Sequence, residues 1–180
     1  VARKRHPSMR LVHADLSRPT SLPSASFSVC ACLDVLEHME PTSLLAEARR
    51  LLAPGGGLLL SVPAHAWLWS VLDEEAGHRC RYSLTMLERE LQSEGFVLEG
   101  YTHYQLLLLP LIFASRRLLR ASSTSLERRP SPKLSRFLRG VNQFEVNYLG
   151  KFRLPMGSSL IVRARRAVGG QPPATRRWRR

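Results

Sequence analysis

The sequence is poor in cysteine and in long apolar runs, and each scarcity excludes a class of protein. Three cysteines occur in 180 residues. An odd number without metal-ligand spacing predicts neither a disulfide framework nor a zinc site, so we expect reduced thiols in a cytoplasmic protein and no bound metal. The longest apolar run, Leu106–Ala114, is far too short to cross a bilayer. No apolar core follows the basic N-terminus, as a secretory signal requires.

Acidic residues are scarce in the last third of the chain. The segment from Arg116 onwards holds 17 of the 27 basic residues but only two of the 14 acidic ones. Such a region suits an anionic membrane, a nucleic acid or an acidic partner, although a solvated basic surface fits the same pattern. Only three of the basic residues are lysines, so the arginine bias can reflect codon composition as well as binding.

The central stretch, Phe27–Pro63, predicts a strand–helix–strand unit. Phe27–Leu33 is an apolar run typical of a strand buried on both faces. Pro41 suits the first turn of a helix, and a Gly-rich turn follows that helix before the strand Leu58–Val62. Polar residues directly follow the first strand. In open α/β sheets, ligands bind at this carboxyl edge.

The flanking segments predict further strands at Arg10–Ala14, Phe96–Tyr104 and Ser158–Ala164. Ser83 is expected to cap a helix, and Leu134–Tyr148 has the pattern of an amphipathic helix. A long aromatic and polar segment, Ala64–Tyr82, suits a lid over a pocket. We therefore predict one domain over residues 1–166, with a linker and helical insertion at 121–153, and a disordered basic tail at 167–180.

Several motifs in order carry a family resemblance. They are LVHAD from Leu11, DVLEH from Asp34, PGG followed by LLLSVPA, and LWS-x2-D-x3-GH-x2-RY from Leu68. Together they resemble a class I S-adenosylmethionine-dependent methyltransferase of the small-molecule group that includes quinone-biosynthesis enzymes. The resemblance covers about Arg10 to Phe113, and more weakly Leu154–Arg166. Any one motif alone would be weak evidence.

The resemblance implies an α/β, Rossmann-like sheet of seven strands, of which the last is antiparallel. The five predicted strands would be its third to seventh. The family's first two strands and its Gly-rich cofactor loop would then lie upstream of Val1, and no GxGxG occurs in this sequence. We therefore expect an N-terminally truncated chain that binds the cofactor poorly.

The resemblance also implies cofactor contacts. Asp15 and the backbone of Leu16 would contact adenine, while the backbone of Leu33 and the carboxylate of Asp34 would line the methionine moiety. The alternatives are structural. Asp15 can end a strand and cap a turn, and Asp34 can provide a favourable charge at the start of the next helix.

Two histidines are candidate general bases, and three side chains of the predicted lid are candidate acceptor contacts. An imidazole can act as a general base at neutral pH, which makes His38 and His78 candidates, although a lone histidine is more often structural. Trp69, Arg81 and Tyr82 are predicted to bind the acceptor, and the alternative for Trp69 is packing of the lid against the sheet. The alternative for Arg81 is a salt bridge with Asp73 or Glu74 that holds the lid in place.

The sequence thus predicts methyl transfer from S-adenosylmethionine to a small-molecule or lipid-like acceptor. The alternative is a non-enzymatic basic module that binds nucleic acid or an anionic membrane through residues 116–180. The apolar segment Leu106–Leu119, with its trailing arginines, also suits a peripheral membrane surface. A nucleotide-binding oxidoreductase is disfavoured, because the fingerprint of that fold is absent.

Overall fold

A computed structural model describes residues 12–119 and 131–168. These residues form four strands and five α-helices, in the order β1 Phe27–Leu33, α1 Pro41–Leu51, β2 Leu52–Pro63, α2 Val71–Glu75, α3 Leu84–Ser93, β3 Phe96–Tyr104, α4 Leu109–Leu119, α5 Pro132–Phe144 and β4 Ser159–Arg166. Short helical turns lie at Leu36–His38 and Ala66–Leu68, and a π-helical turn at Glu145–Leu149 continues α5. None of the described helices is long and apolar enough to cross a bilayer.

The sheet has the strand order β1-β2-β4-β3. Strands β1 and β2 are parallel, whereas β4 lies antiparallel to both β2 and β3. This arrangement confirms the predicted α/β class and the antiparallel last strand. The connection from β1 through α1 to β2 is the βαβ unit expected from the central stretch.

Local sequence signals explain most of the element boundaries. Pro41 occupies the first turn of α1, where the missing N–H breaks no hydrogen bond. The Ser83 hydroxyl accepts a hydrogen bond from the Met86 amide at 3.2 Å and caps α3 as predicted. Gly95, with φ +74°, turns the chain between α3 and β3. A Cβ at Gly56 would lie 2.9 Å from the Ala53 carbonyl oxygen, so that glycine permits close backbone packing.

The two faces of the sheet differ in burial. Leu58, Leu60 and Val62 of β2 are at most 1% exposed and belong to the main apolar core, to which α1 and α3 contribute leucines. On the opposite face, Val29 is 63% and Leu33 is 56% exposed. The prediction that β1 is buried on both faces is therefore wrong. Only the α1–α3 side of β1 has described elements packed against it.

Two predicted elements differ from the structure at their boundaries. Residues 12–14 are not in a strand, so the predicted strand Arg10–Ala14 is wrong over its described part. No described strand lies beside the outer edge of β1 to pair with it. Strand β2 begins at Leu52, directly after α1, so the predicted Gly-rich turn forms an irregular start to the strand. The linker residues 120–130 and the tail from 169 lie outside the described residues.

Candidate functional site

A cleft of about 510 Å³ lies at the carboxyl edge of β1 and β2. Its walls come from the segment after β1, the lid segment, α4 and the start of β4; they include Asp34, Glu37, His38, His78, Arg81, Gln105, Arg116 and Ser158. Two of the lining residues have left-handed backbone conformations, Asp34 at φ +53° and Gln105 at φ +63°. Such strained positions concentrate at functional sites.

Asp34 projects from the end of β1 into this cleft. Its carboxylate accepts a hydrogen bond from the Ser61 hydroxyl of β2 at 2.8 Å. Its amide donates to the Ser61 carbonyl at 2.9 Å, which continues the β1–β2 pairing by one residue. The side chain stays exposed. Asp34 is therefore available to a bound molecule.

Glu37, His38 and His78 form a compact group beside Asp34. The ligand atoms of the three side chains lie within 4.8 Å of one another, and the two imidazole rings meet edge to face with centroids 4.8 Å apart. Glu37 is 1% exposed, and its Oε2 has no hydrogen-bond partner. Burial raises the pKa of the Glu37 carboxyl, and the charge of Asp34 adds to that effect. A metal ion is one group that this donor set could hold, although the sequence predicts none.

His78 is oriented by a buried carboxylate. Its Nδ1 lies 3.0 Å from Asp73 Oδ1, while its Nε2 lies 4.0 Å from Glu37 Oε1. The hydrogen bond between Nδ1 and Asp73 fixes the orientation of the His78 ring, and Nε2 then points towards Glu37. His38 is exposed, and its ring contacts His78 rather than a carboxylate among the described residues. The two predicted bases therefore lie together at the cleft, and His78 is the one oriented by a hydrogen bond.

Asp73 holds the lid through two arginines. Arg81 donates to Asp73 Oδ1 through Nε at 2.9 Å and Nη2 at 2.7 Å, and Arg116 from α4 donates to Oδ2. Burial alone would raise the pKa of the Asp73 carboxyl, but the hydrogen bonds and charges of the arginines and the hydrogen bond to His78 lower it to about 2. Asp73 also accepts from the Ser70 amide and completes the capping box of α2.

The structure separates the three predicted acceptor contacts. Arg81 lines the cleft but is 5% exposed and is bonded to Asp73, which is the lid-holding alternative. Tyr82 is 2% exposed within the core, and burial raises the pKa of its hydroxyl. Its hydroxyl donates to the Leu36 carbonyl at 3.4 Å. Trp69 donates through Nε1 to Glu74 at 3.1 Å. The polar atoms of Trp69, Arg81 and Tyr82, which were expected to contact the acceptor, are thus hydrogen-bonded to other parts of the protein.

The predicted cofactor contacts also lie in two places. Leu33 is the last residue of β1, and Asp34, which follows it, lines the cleft. Asp15 is exposed and accepts hydrogen bonds from the amide and hydroxyl of Ser17, the turn-capping alternative, and these bonds lower the pKa of its carboxyl. Leu16 packs against the core cluster. Neither Asp15 nor Leu16 lines the cleft.

Two cleft residues were missed by the sequence analysis. The sequence places Arg116 among the arginines that trail an apolar segment, yet it donates to the Leu68 carbonyl at 3.0 Å and to the Ser70 hydroxyl at 2.7 Å as well as to Asp73. Gln105 follows β3 and lines the cleft with its strained backbone. The separation of 43 residues between Arg116 and Asp73 gives no local signal.

Comparisons with known proteins agree with this geometry. A profile of the methyltransferase-domain family matches residues 1–60. Among solved structures, the [4+2]-cyclase SpnF has a TM-score of 0.53 and 24% identity, over 93% of this chain and 60% of that one. A candidate methyltransferase from Bacillus halodurans C-125 has a TM-score of 0.51 and 16% identity, over 90% and 79%. No curated protein sequence matches significantly.

A third solved structure contains ligands. It is phosphoethanolamine N-methyltransferase 2 of Haemonchus contortus with S-adenosylhomocysteine and phosphomonomethylethanolamine, with a TM-score of 0.50 and 15% identity, over 86% of this chain and 36% of that one. This chain therefore spans between about a third and four fifths of the three proteins' lengths. The profile match and the shared fold confirm the resemblance to class I methyltransferases. The small-molecule group and the truncation stay predictions.

Proposed function

We propose that this protein takes part in methyl transfer from S-adenosylmethionine to an acceptor held in the cleft at the carboxyl edge of β1 and β2. One observation carries the proposal. A sheet with a methyltransferase strand arrangement places Asp34, Glu37, His38 and His78 around one cleft at the edge where open α/β sheets bind ligands. The S-adenosylhomocysteine in the Haemonchus contortus structure supports the choice of cofactor.

The proposed reaction is an in-line displacement at the methyl carbon. Bound S-adenosylmethionine would supply the methyl group to the acceptor atom, and S-adenosylhomocysteine would be the leaving group that keeps the electron pair of the carbon–sulfur bond. Most of the rate comes from holding the two reactants in line. Asp34 and the Leu33 backbone would contact the methionine part of the cofactor. His38 would take the acceptor proton, while His78, oriented by Asp73, would hold the acceptor beside it.

A small or lipid-like acceptor is supported by the apolar side of the cleft. Pro63, Leu72 and Ile112 line that side. A cytoplasmic location is supported by the free state of Cys30, Cys32 and Cys80.

Ligand-detected NMR tests this proposal without requiring tight binding. Saturation-transfer spectra of the 180-residue chain with S-adenosylhomocysteine should show stronger transfer to the homocysteine protons than to the adenine protons, because Asp34 lines the cleft and Asp15 does not. Asp34→Asn should weaken that transfer. Glu40→Gln is the matched control, since Glu40 is exposed and pairs with Arg79 at 3.0 Å.

The outcomes separate the activity from the prediction of weak binding. No transfer at low-millimolar ligand, or equal transfer with Asp34→Asn, would contradict the proposed function. Micromolar affinity by calorimetry would support the function and contradict the expectation that this chain binds poorly. A His38→Gln variant should keep the homocysteine signals and lose turnover with any acceptor that must release a proton.

A further inference from the structure

We propose that α5 and the segment that follows it, residues 132–153, form a surface that docks onto an anionic lipid bilayer; we call it the interfacial segment. No residue of α5 is buried. Its apolar side chains recur every three or four residues and make one stripe, comprising Leu134, Phe137, Leu138, Val141 and Phe144. A stripe of this kind normally packs against the core, yet Phe137 is 63% and Phe144 is 52% exposed.

The apolar surface continues beyond the helix. Tyr148 and Phe152 are each 64% exposed and Val146 is 51% exposed. The rings of Phe144 and Tyr148 stack with centroids 4.7 Å apart, so the helix and the π-helical turn share one aromatic surface. Contiguous exposed apolar side chains of this size mark a protein or membrane contact.

Charge points to an anionic partner. The interfacial segment, residues 132–153, contains five basic residues and a single acidic one, Glu145. Glu145 is 1% exposed, and its carboxylate accepts the backbone N–H groups of Gln105, Leu106 and Leu107 at 2.6, 3.2 and 2.9 Å. That carboxylate is thus occupied inside the protein. The interfacial segment presents basic side chains at its surface, and its own sequence has no exposed carboxylate beside them.

The combination of apolar and basic side chains favours a bilayer, rather than nucleic acid or a second copy of this chain, as the partner of the interfacial segment. A nucleic-acid duplex would pair its phosphates with Lys133, Arg136 and Arg139 but would leave Phe137 and Phe144 in water. A single strand would stack its bases on those two rings but would leave the exposed Leu134 and Val146 uncovered. A second copy would bring two basic surfaces together. An anionic bilayer takes the apolar side chains below its headgroups and the basic side chains at its charged surface. With 13 residues, α5 would lie in the interface plane.

The same contacts connect the interfacial segment to the cleft. Gln105 lines the cleft, and its backbone N–H donates a hydrogen bond to Glu145 at the end of α5. A bilayer bound by the interfacial segment would therefore lie beside the cleft and its apolar helix α4. This arrangement would favour an acceptor delivered from the membrane, but the docking itself does not depend on the proposed methyl transfer.

Vesicle flotation with the 180-residue chain tests the proposal. We expect binding to vesicles that mix phosphatidylglycerol with phosphatidylcholine, and at least about tenfold weaker binding to phosphatidylcholine alone. The double variant Phe137→Ser and Phe144→Ser should lose at least about tenfold in affinity at any salt concentration, because the apolar contribution is removed. Arg136→Glu with Arg139→Glu should lose binding most strongly at low salt.

A matched control distinguishes the interfacial segment from general surface charge. The double variant Met86→Ser and Arg89→Glu removes one exposed apolar and one basic side chain from α3, and it should bind vesicles as the parent does. Circular dichroism verifies that each variant keeps its helices. Equal loss in the control, binding to nucleic acid but not to vesicles, or a dimer broken by Phe137→Ser in the absence of lipid would each overturn the proposal.

Discussion

The two faces of the same sheet differ in how much of their apolar surface is buried. On the face covered by α1 and α3, Leu60 and Val62 of β2 have no exposed surface. On the open face, Leu59 of the same strand is 36% exposed and Val29 of the neighbouring strand is 63% exposed. Both faces carry apolar side chains, as a strand covered on both sides does. The sequence is thus suited to two covered faces, and the described residues cover one.

The carboxylates of Asp73 and Asp34 also differ in burial. Asp73 is 1% exposed and binds Arg81, Arg116 and His78, whereas Asp34 is exposed and accepts a hydrogen bond from Ser61. Asp73 depends on these partners to stay ionised while buried, because the loss of one partner leaves uncompensated charge. An exposed carboxylate can exchange its partner for a ligand at little cost. We therefore expect Asp73 to contribute stability and Asp34 to contribute binding.

The largest expected effect comes from these two aspartates. Asp73→Asn should destabilise the fold by about 3–5 kcal/mol, because it leaves two arginines without their shared charge. Asp34→Asn should change the free energy of unfolding by less than about 0.5 kcal/mol. Urea denaturation followed by circular dichroism measures both. Similar losses in the two variants would remove the distinction between a stabilising and a binding carboxylate.

Adjacent leucines on β2 test the two faces directly. Leu60→Ala should cost about 3 kcal/mol, because the lost side chain leaves a cavity in the core. Leu59→Ala should cost less than about 1 kcal/mol, since its side chain is already partly in water. Both variants have the same change of side chain on the same strand. Equal costs would show that the open face is covered in solution.

Acid titration isolates the lid network. The pKa of Asp73 is about 2 in the folded chain against 3.8 for the free side chain. A lowered folded pKa contributes stability above the unfolded pKa, and that stability is lost as pH falls from about 4 towards 2. The contribution of Asp73 is about 2 kcal/mol. Thermal melts of the parent should fall more steeply across this range than those of Asp73→Asn, and parallel curves would contradict the assignment.

The sequence predicted the elements whose signals are local. The apolar pattern of Phe96–Tyr104 gave β3 with its observed bounds, and Ser83 marked the start of α3. Polar residues after Leu33 placed Asp34, Glu37 and His38 at one edge, because parallel strands end together. Each of these inferences depends on a few neighbouring residues and on the period of the element.

The parts that could not be predicted depend on tertiary contacts. Arg116 and Asp73 meet across 43 residues, and the sequence shows only a basic helix end and an acidic helix start. The apolar composition of β1 predicted burial on both faces, which is wrong. Composition shows what a strand can bury, but it does not show which elements pack against the strand. The strand predicted at Arg10–Ala14 failed over residues 12–14 for the same reason. A strand needs a neighbour to accept its hydrogen bonds.

The smallest expected change in stability concerns Val29 on the open face. Val29→Lys should change the free energy of unfolding by less than about 0.5 kcal/mol, because the side chain is 63% exposed. It should nevertheless reduce concentration-dependent association in analytical ultracentrifugation, since β1 has no described partner at its outer edge and lysine protects such edges. Val62→Lys, on the covered face, is the matched substitution and should prevent folding. A loss of more than about 1 kcal/mol in Val29→Lys would mean that the open face is packed in solution, and the contrast between the faces would then fail.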